Sequence, residues 1–216
     1  MAHAPAQRGF WFHVLDVVFN IAVIVAIVTA IRTFLVSPFK VEGSSMVSTL
    51  EDHEYIVINK LAYILGDPKR GDIVVFRPPS EPSKYYVKRV IGVPGDTVDI
   101  RGGNVYVRPD GEESEAELAE PYLDENNQGA TYRHPPNSGD RTPTVYKVPD
   151  HEYFLLGDNR QGSHDSRSFR VDGKEAPFVP DEDIKGRVWF VVLPITKVHA
   201  FSAPDYDLEG AGAAQE

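Results

Sequence analysis

The 216-residue chain contains no cysteine. Disulfides, thiolate catalysis and cysteine-held metals are therefore excluded. The absence is compatible with a place outside the cytoplasm but does not prove one. Histidine is sparse and scattered, at His3, His13, His53, His134, His151, His164 and His199. No pair has a His-x-x-x-His spacing, so neither a zinc site nor any other metal site is expected. Positive charge is in the minority: 22 Lys and Arg stand against 32 Asp and Glu, a formal net charge of -10. Without a basic stripe, nucleic acid is not an expected partner. Internal repeats are absent. Hydrophobic residues make up 42% of the chain, enough for one sizeable domain with additions.

One long apolar run is present. Val17–Val36 is a 20-residue segment whose clearly polar members are Asn20, Thr29, Arg32 and Thr33. A helix needs about 20 such residues to cross the hydrocarbon core. The spacing predicts an N-terminal segment over 1–16 and a transmembrane helix over 17–36. Asp16 and Asn20 then share a face, and Arg32 can snorkel at the far end. Phe10, Trp11, Phe12 and Phe34 suit the interface. Two other readings compete. Val28-Thr29-Ala30 resembles the small-x-small end of a cleavable signal, but Ile31-Arg32-Thr33-Phe34-Leu35 stays partly hydrophobic after it. A buried core helix is the other. Flanking charge does not orient the span, since Arg8 and the amino terminus lie on one side and Arg32 and Lys40 on the other.

Beyond it, 37–201 reads as a β-rich domain. Tyr55–Ile58, Asp72–Arg77, Tyr85–Val93, Thr144–Val148, Glu152–Leu156 and Arg187–Val192 are rich in β-branched and aromatic residues between Gly and Pro turns. Thr97–Ile100 and Asn104–Val107 flank Gly102-Gly103, a hairpin signal. The expected fold class is mainly β: an antiparallel sandwich or barrel-like domain behind a single helix. Asn59–Leu65 reads as one or two helical turns. Residues 110–143 form an insert. Its first part, Asp110–Gly129, holds eight acidic residues and no Lys or Arg, and is expected as a solvated loop or short helix. His134–Asp140 is a loop by turn chemistry, and 202–216 is an Ala/Gly-rich tail expected to be disordered.

Directly after the apolar run stands Val41-Glu42-Gly43-Ser44-Ser45-Met46-Val47-Ser48-Thr49-Leu50. Gly43 permits a tight turn that can present the Ser45 hydroxyl and free its N–H for an oxyanion. Further on comes Tyr86-Val87-Lys88-Arg89-Val90-Ile91-Gly92-Val93-Pro94-Gly95-Asp96. Strand alternation puts Tyr86, Lys88 and Val90 on one face. Burial there would lower the lysine pKa, and a neutral amine can take the serine's proton, an established variant of the serine triad. The third block is Gly157-Asp158-Asn159-Arg160-Gln161-Gly162-Ser163-His164-Asp165-Ser166-Arg167. Asp165 and Arg167, two apart, face one side of an extended segment and can pair. Ser45, His164 and Asp165 also invite a Ser-His-Asp reading, but adjacent residues of an extended chain point apart.

These three blocks, in this order, resemble bacterial type I signal peptidase, over about Val36 to Pro194, with a weaker stretch at Glu120-Pro121-Tyr122-Leu123. The resemblance implies a membrane-bound serine endopeptidase that removes signal peptides from exported preproteins, with the amino terminus cytoplasmic and the catalytic domain outside. It implies Ser45 as nucleophile and Lys88 as general base. Ser163 would bond and orient the Lys88 amine, with Gly157, Asp165 and Arg167 supporting. Phe39, Val41, Leu50 and Val87 match positions lining shallow pockets for small side chains at −1 and −3. Gly43 stands where some members carry a serine that helps bind the oxyanion; that task falls to the Ser45 N–H and a neighbour such as Ser44. Many members have Pro at the position of Ser48. Membrane lipid and secretory preproteins are the implied partners, and no cofactor is needed. A self-cleaving repressor-type peptidase shares the dyad but would carry a DNA-binding module where this chain has its apolar run. A catalytically silent membrane-anchored β-domain that binds peptide or cell-wall material is the alternative from another class.

Overall fold

The computed structural model describes residues 9–32, 36–133, 144–204 and 206. Its first element is the helix α1, Phe10–Ala30, of 21 residues, none of them buried. At 1.5 Å per residue it is about 30 Å long, the thickness of a hydrocarbon core. The helix begins seven residues nearer the amino terminus than the hydropathy pattern predicts. Phe10 to Leu15 belong to it, whereas Val36 opens a strand. Ile31 and Arg32 continue α1 as a turn of π-helix. Asn20 lies one turn beyond Asp16 and donates from Nδ2 to the Asp16 carbonyl at 2.8 Å.

The strands are β1 (Val36–Lys40), β2 (Tyr55–Asn59), β3 (Ile73–Phe76), β4 (Tyr86–Gly92), β5 (Thr97–Arg101), β6 (Asn104–Arg108), β7 (Ala116–Glu117), β8 (Thr144–Lys147), β9 (Glu152–Leu156), β10 (Arg170–Val171), β11 (Lys174–Glu175), β12 (Phe178–Pro180), β13 (Ile184–Leu193) and β14 (His199–Ala200). A large sheet runs β1-β2-β13-β3-β4-β9-β12 with β14 on β13, a smaller sheet runs β7-β6-β5-β8, and β10-β11 is a separate hairpin. Pairings in both sheets are antiparallel, as expected for the fold class. A 3-10 turn at Leu61–Tyr63 occupies the predicted helical stretch. In the β5-β6 hairpin, Gly102 and Gly103 have φ of 61° and 92°, values that strain any residue with a Cβ.

Why these residues make a sheet is clearest at β3. All four of its residues are buried. Ile73 and Val75 enter a core with Val41, Met46, Leu50, Ile56, Ile58, Val188 and Val191. Val74 and Phe76 point the other way, into a core with Val90, Tyr153, Leu155, Phe169 and Val179. A strand covered on both faces reads as an unbroken apolar run. A third core joins the sheets: Ile91, Phe154 and Leu156 of the large sheet pack on Val98, Ile100, Val105, Val107 and Tyr146 of the small one.

Two expectations need correction. The acidic insert is not simply a solvated loop. Its Ala116–Glu117 pairs with β6, and Leu118, Leu123, Asn127 and Thr131 are buried. Sparse apolar residues among the acids anchor it, and the net charge hides them. The tail does not leave the fold at Ser202 either. A Cβ on Gly71 would stand 2.9 Å from both Pro204 Cδ and Tyr206 Cε2, so the chain crosses closely over Gly71, and Tyr206 packs on the third core. The predicted loop His134–Asp140 and the tail from 207 lie outside the described residues.

Candidate active site

Gly43 adopts φ +95°, the left-handed turn the motif calls for, and its N–H donates to Asp52 Oδ1 at 2.9 Å. The turn then tightens: Val47 N–H reaches the Ser44 carbonyl at 3.2 Å, and Leu50 N–H reaches the Met46 carbonyl at 2.8 Å. Met46 and Leu50 sink into the core. Ser45, between the exposed turn and these anchors, is left on the wall of a groove of about 480 Å³. Its N–H makes no hydrogen bond among the described residues.

Lys88 lies in β4 opposite Val74 and is 2% exposed. Its Nζ stands 2.7 Å from Ser45 Oγ and 2.8 Å from the Val87 carbonyl, with the Tyr86 ring 5.3 Å away. Burial pushes the amine down to about 8, against the weaker pull of Asp165 and Asp158 and with help from Arg167. A neutral amine at this distance can accept the hydroxyl proton.

The groove is lined by Phe39, Val41 and Val87, together with Ile56, Val75, Tyr85 and His164. Leu50 is a correction. It is 0% exposed and belongs to the core beneath the groove, because it is the residue that pins the end of the serine turn. Ser44 lies on the groove wall, and its carbonyl accepts from Asn159 Nδ2 at 3.0 Å.

The 157–167 loop packs behind the pair. A Cβ on Gly157 would come 2.1 Å from Ser163 Oγ and 2.4 Å from the Ser45 carbonyl oxygen, so the glycine is there for close approach. Asn159 N–H donates to that same Ser45 carbonyl at 3.1 Å. Arg167 grips Asp165 through Nε at 2.8 Å and Nη2 at 2.7 Å. Burial opposes ionisation of Asp165, but Arg167 and the Gly157 N–H outweigh it and hold the carboxyl below its ordinary value.

Ser163 departs from expectation. It is 3% exposed, yet Lys88 Nζ spends its hydrogen bonds on Ser45 and Val87. The Ser163 hydroxyl lies beside Asp165 and helps to lower its pKa without meeting hydrogen-bond geometry to any described group. His164 turns its Nδ1 to Ser168 Oγ at 2.9 Å and makes no bond to Asp165, which removes the Ser-His-Asp reading.

The family model described as signal peptidase, peptidase S26, matches residues 14–193. This chain belongs to that family of serine endopeptidases. Signal peptidase I P of Bacillus subtilis subsp. natto is 38% identical over 179 residues, covering 82% of this chain and 88% of its own. Signal peptidase I of Bacillus licheniformis shows the same identity and coverage. Signal peptidase I of Pseudomonas fluorescens is 35% identical over 218 residues, with 85% of this chain and 74% of its own covered. A solved structure, the signal peptidase I of Enterococcus faecalis V583, aligns with 56% of this chain and 97% of its own at 28% identity and a TM-score of 0.42.

Within this signal peptidase fold, sequence reasoning missed a second set of residues. Arg89 is 3% exposed and pairs with Asp158 through Nε at 2.9 Å and Nη2 at 2.7 Å. Thr49, at the end of the serine turn, donates to the same carboxylate at 2.5 Å. The Tyr122 ring covers the guanidinium at 3.7 Å. Arg160 is 0% exposed and pairs with Glu120. The available signal was an arginine inside an apolar strand, since a buried guanidinium demands a carboxylate somewhere else in the chain.

Proposed function

We propose that this chain is a membrane-anchored signal peptidase in which Ser45 Oγ attacks the scissile carbonyl and Lys88 serves as its base. The observation that carries the reading is the 2.7 Å separation of Ser45 Oγ from an amine that burial pushes down to about 8. Neutral Lys88 takes the proton as the Oγ–carbon bond forms. The carbonyl oxygen becomes an oxyanion, received by the Ser45 N–H with Ser44 beside it. When the carbon–nitrogen bond breaks, Lys88 returns the proton to the leaving amine and the acyl-enzyme remains. A water attacks the ester carbonyl and gives its proton to Lys88, which passes it to the Ser45 oxygen as the enzyme is freed. Gly157, Asp165 and Arg167 support the loop that packs behind the amine, and Ser163 lies on that loop beside Asp165.

The substrate is the signal-peptide region of a preprotein. The groove walls formed by Phe39, Val41 and Val87 suit small residues at −1 and −3. The exposed apolar helix α1 suits a single membrane span, with the amino terminus cytoplasmic and the catalytic domain outside. The test is cleavage of a purified preprotein by wild type, Ser45→Ala and Lys88→Ala. Wild type releases the mature protein and both variants do not. A Ser45→Ala enzyme that still cleaves overturns the reading.

A further inference from the structure

The acidic insert holds the loop that in turn holds the serine. Arg160 is fully buried. Its Nη1 donates to Glu120 Oε2 and Thr131 Oγ1, each at 2.8 Å. Its Nη2 donates to the other Glu120 oxygen, and its Nε donates to the Gly157 carbonyl at 3.0 Å. The next residue, Gln161, is tied by its N–H to Asn127 Oδ1 of the same insert at 3.3 Å. The residue before, Asn159, donates its N–H to the Ser45 carbonyl and its Nδ2 to the Ser44 carbonyl. Glu120 and the nucleophile's own backbone are thus linked through Arg160 and its peptide neighbour.

We infer that Glu120 and Arg160 are positioning residues: the insert clamps the 157–167 loop and thereby sets where the Ser45 hydroxyl stands relative to Lys88. The inference rests on the reading of Ser45 and Lys88 as the reacting pair. A general argument and one observation favour it over a purely structural ion pair. A buried pair contributes little net stability against apolar residues of similar volume, so its planar two-pronged geometry is better spent on fixing orientation. The geometry it fixes is crowded, because Gly157 leaves no room for a Cβ against Ser163 and the Ser45 carbonyl. A shift of the loop is therefore felt at the serine. Misplacement of about 1 Å from a remote change can cost about a hundredfold in rate.

The test compares full-length wild type with Glu120→Asp and with the double variant Glu120→Gln, Arg160→Met, using preprotein cleavage. The Asp variant keeps the charge but is one methylene too short to hold both Arg160 nitrogens in place. The double variant removes both charges together, so neither charge is left unpaired, while the Gly157 carbonyl and the Thr131 hydroxyl lose their donor. The Asp variant is expected to keep a melting temperature near wild type, and both are expected to lose kcat by about tenfold or more with KM little changed. The acid limb of the kcat/KM profile should move to higher pH. A loosened loop admits water to Lys88 Nζ, which faces Asp158, Asp165, Arg167 and the Tyr86 ring. If the double variant does not fold, the Asp variant decides. A folded variant of either kind with wild-type kcat and an unmoved acid limb overturns the clamp. Wild type and Ser45→Ala run alongside: if Ser45→Ala cleaves, the dyad reading has failed and the clamp falls with it.

Discussion

Lys88 and Arg89 are neighbours in one strand, both almost wholly buried, and only Arg89 has an ion-pair partner among the described residues. Asp158 meets its guanidinium through two nitrogens, and although burial opposes the charge, the carboxylate outweighs it and raises the arginine's pKa. Lys88 finds a hydroxyl and a carbonyl instead. Alternation in the strand separates the two fates, and the chemistry follows from the difference. An unpaired buried amine gives up its proton readily, whereas a guanidinium keeps it.

The first prediction is the acid limb of activity. In the proposed mechanism only the neutral amine accepts the Ser45 proton, so kcat/KM should rise as pH increases and level off above the folded pKa of Lys88, about 8. Lys88→Arg should be nearly inactive, because its side chain stays protonated. Initial rates of preprotein cleavage over this range check both. An Arg variant near the wild-type rate removes Lys88 from the mechanism.

Breaking the Arg89–Asp158 pair should cost stability. Arg89→Met leaves an uncompensated buried carboxylate, at roughly 3–5 kcal/mol. Replacing Asp158 by Leu at the same time should recover most of that. Denaturation midpoints of the single and double variants in detergent give the answer; an additive double variant would mean the two charges do not depend on each other.

Gly157→Ala should damage activity. The added methyl meets Ser163 Oγ at 2.1 Å and the Ser45 carbonyl at 2.4 Å. The second of these is backbone and cannot rotate away. The serine turn must shift, with a loss of kcat on the order of a hundredfold. Wild-type kinetics for this variant would show that the loop has slack.

Much of this site was legible in the sequence. Lys88 between Val87 and Val90 reads locally as an exposed edge-strand lysine, and only the resemblance carried by the three blocks turns it into a buried base; Gly43 before Ser45 reads as a positive-φ turn. Gly102-Gly103 between alternating apolar residues reads as a hairpin. What was not legible depends on long-range contacts. β1 carries Pro38 and runs on from an apolar helix, so no local boundary marks it; an edge strand tolerates the proline. Leu50 looks like a groove residue until the turn's hydrogen bonds aim it into the core. Arg160 and Glu120, 40 residues apart in sequence, gave no sign of each other. Ser163 was expected at the Lys88 amine, but which acceptor a buried amine takes is decided by angles that spacing does not contain.

The last prediction is that Lys88→Met is more stable than wild type at neutral pH. The lysine pKa is about 8 in the folded chain against 10.5 for the free side chain. Between those values the unfolded chain binds more protons, so wild-type stability rises with pH through that window. Below the window both states are protonated, and the folded one carries the full cost of a buried, unpaired ammonium, roughly 3 kcal/mol. Above the window the cost is gone. Methionine fills a similar volume and has no charge to desolvate, but it gives up the hydrogen bonds to Ser45 and Val87, at about 1 kcal/mol or less each. A net gain of roughly 1–2 kcal/mol should remain at neutral pH and vanish as pH approaches 10.5. Thermal midpoints of both proteins across pH in one detergent measure it. A methionine variant less stable than wild type at neutral pH, or a difference that does not change with pH, would mean that the amine is not held at a cost to the fold.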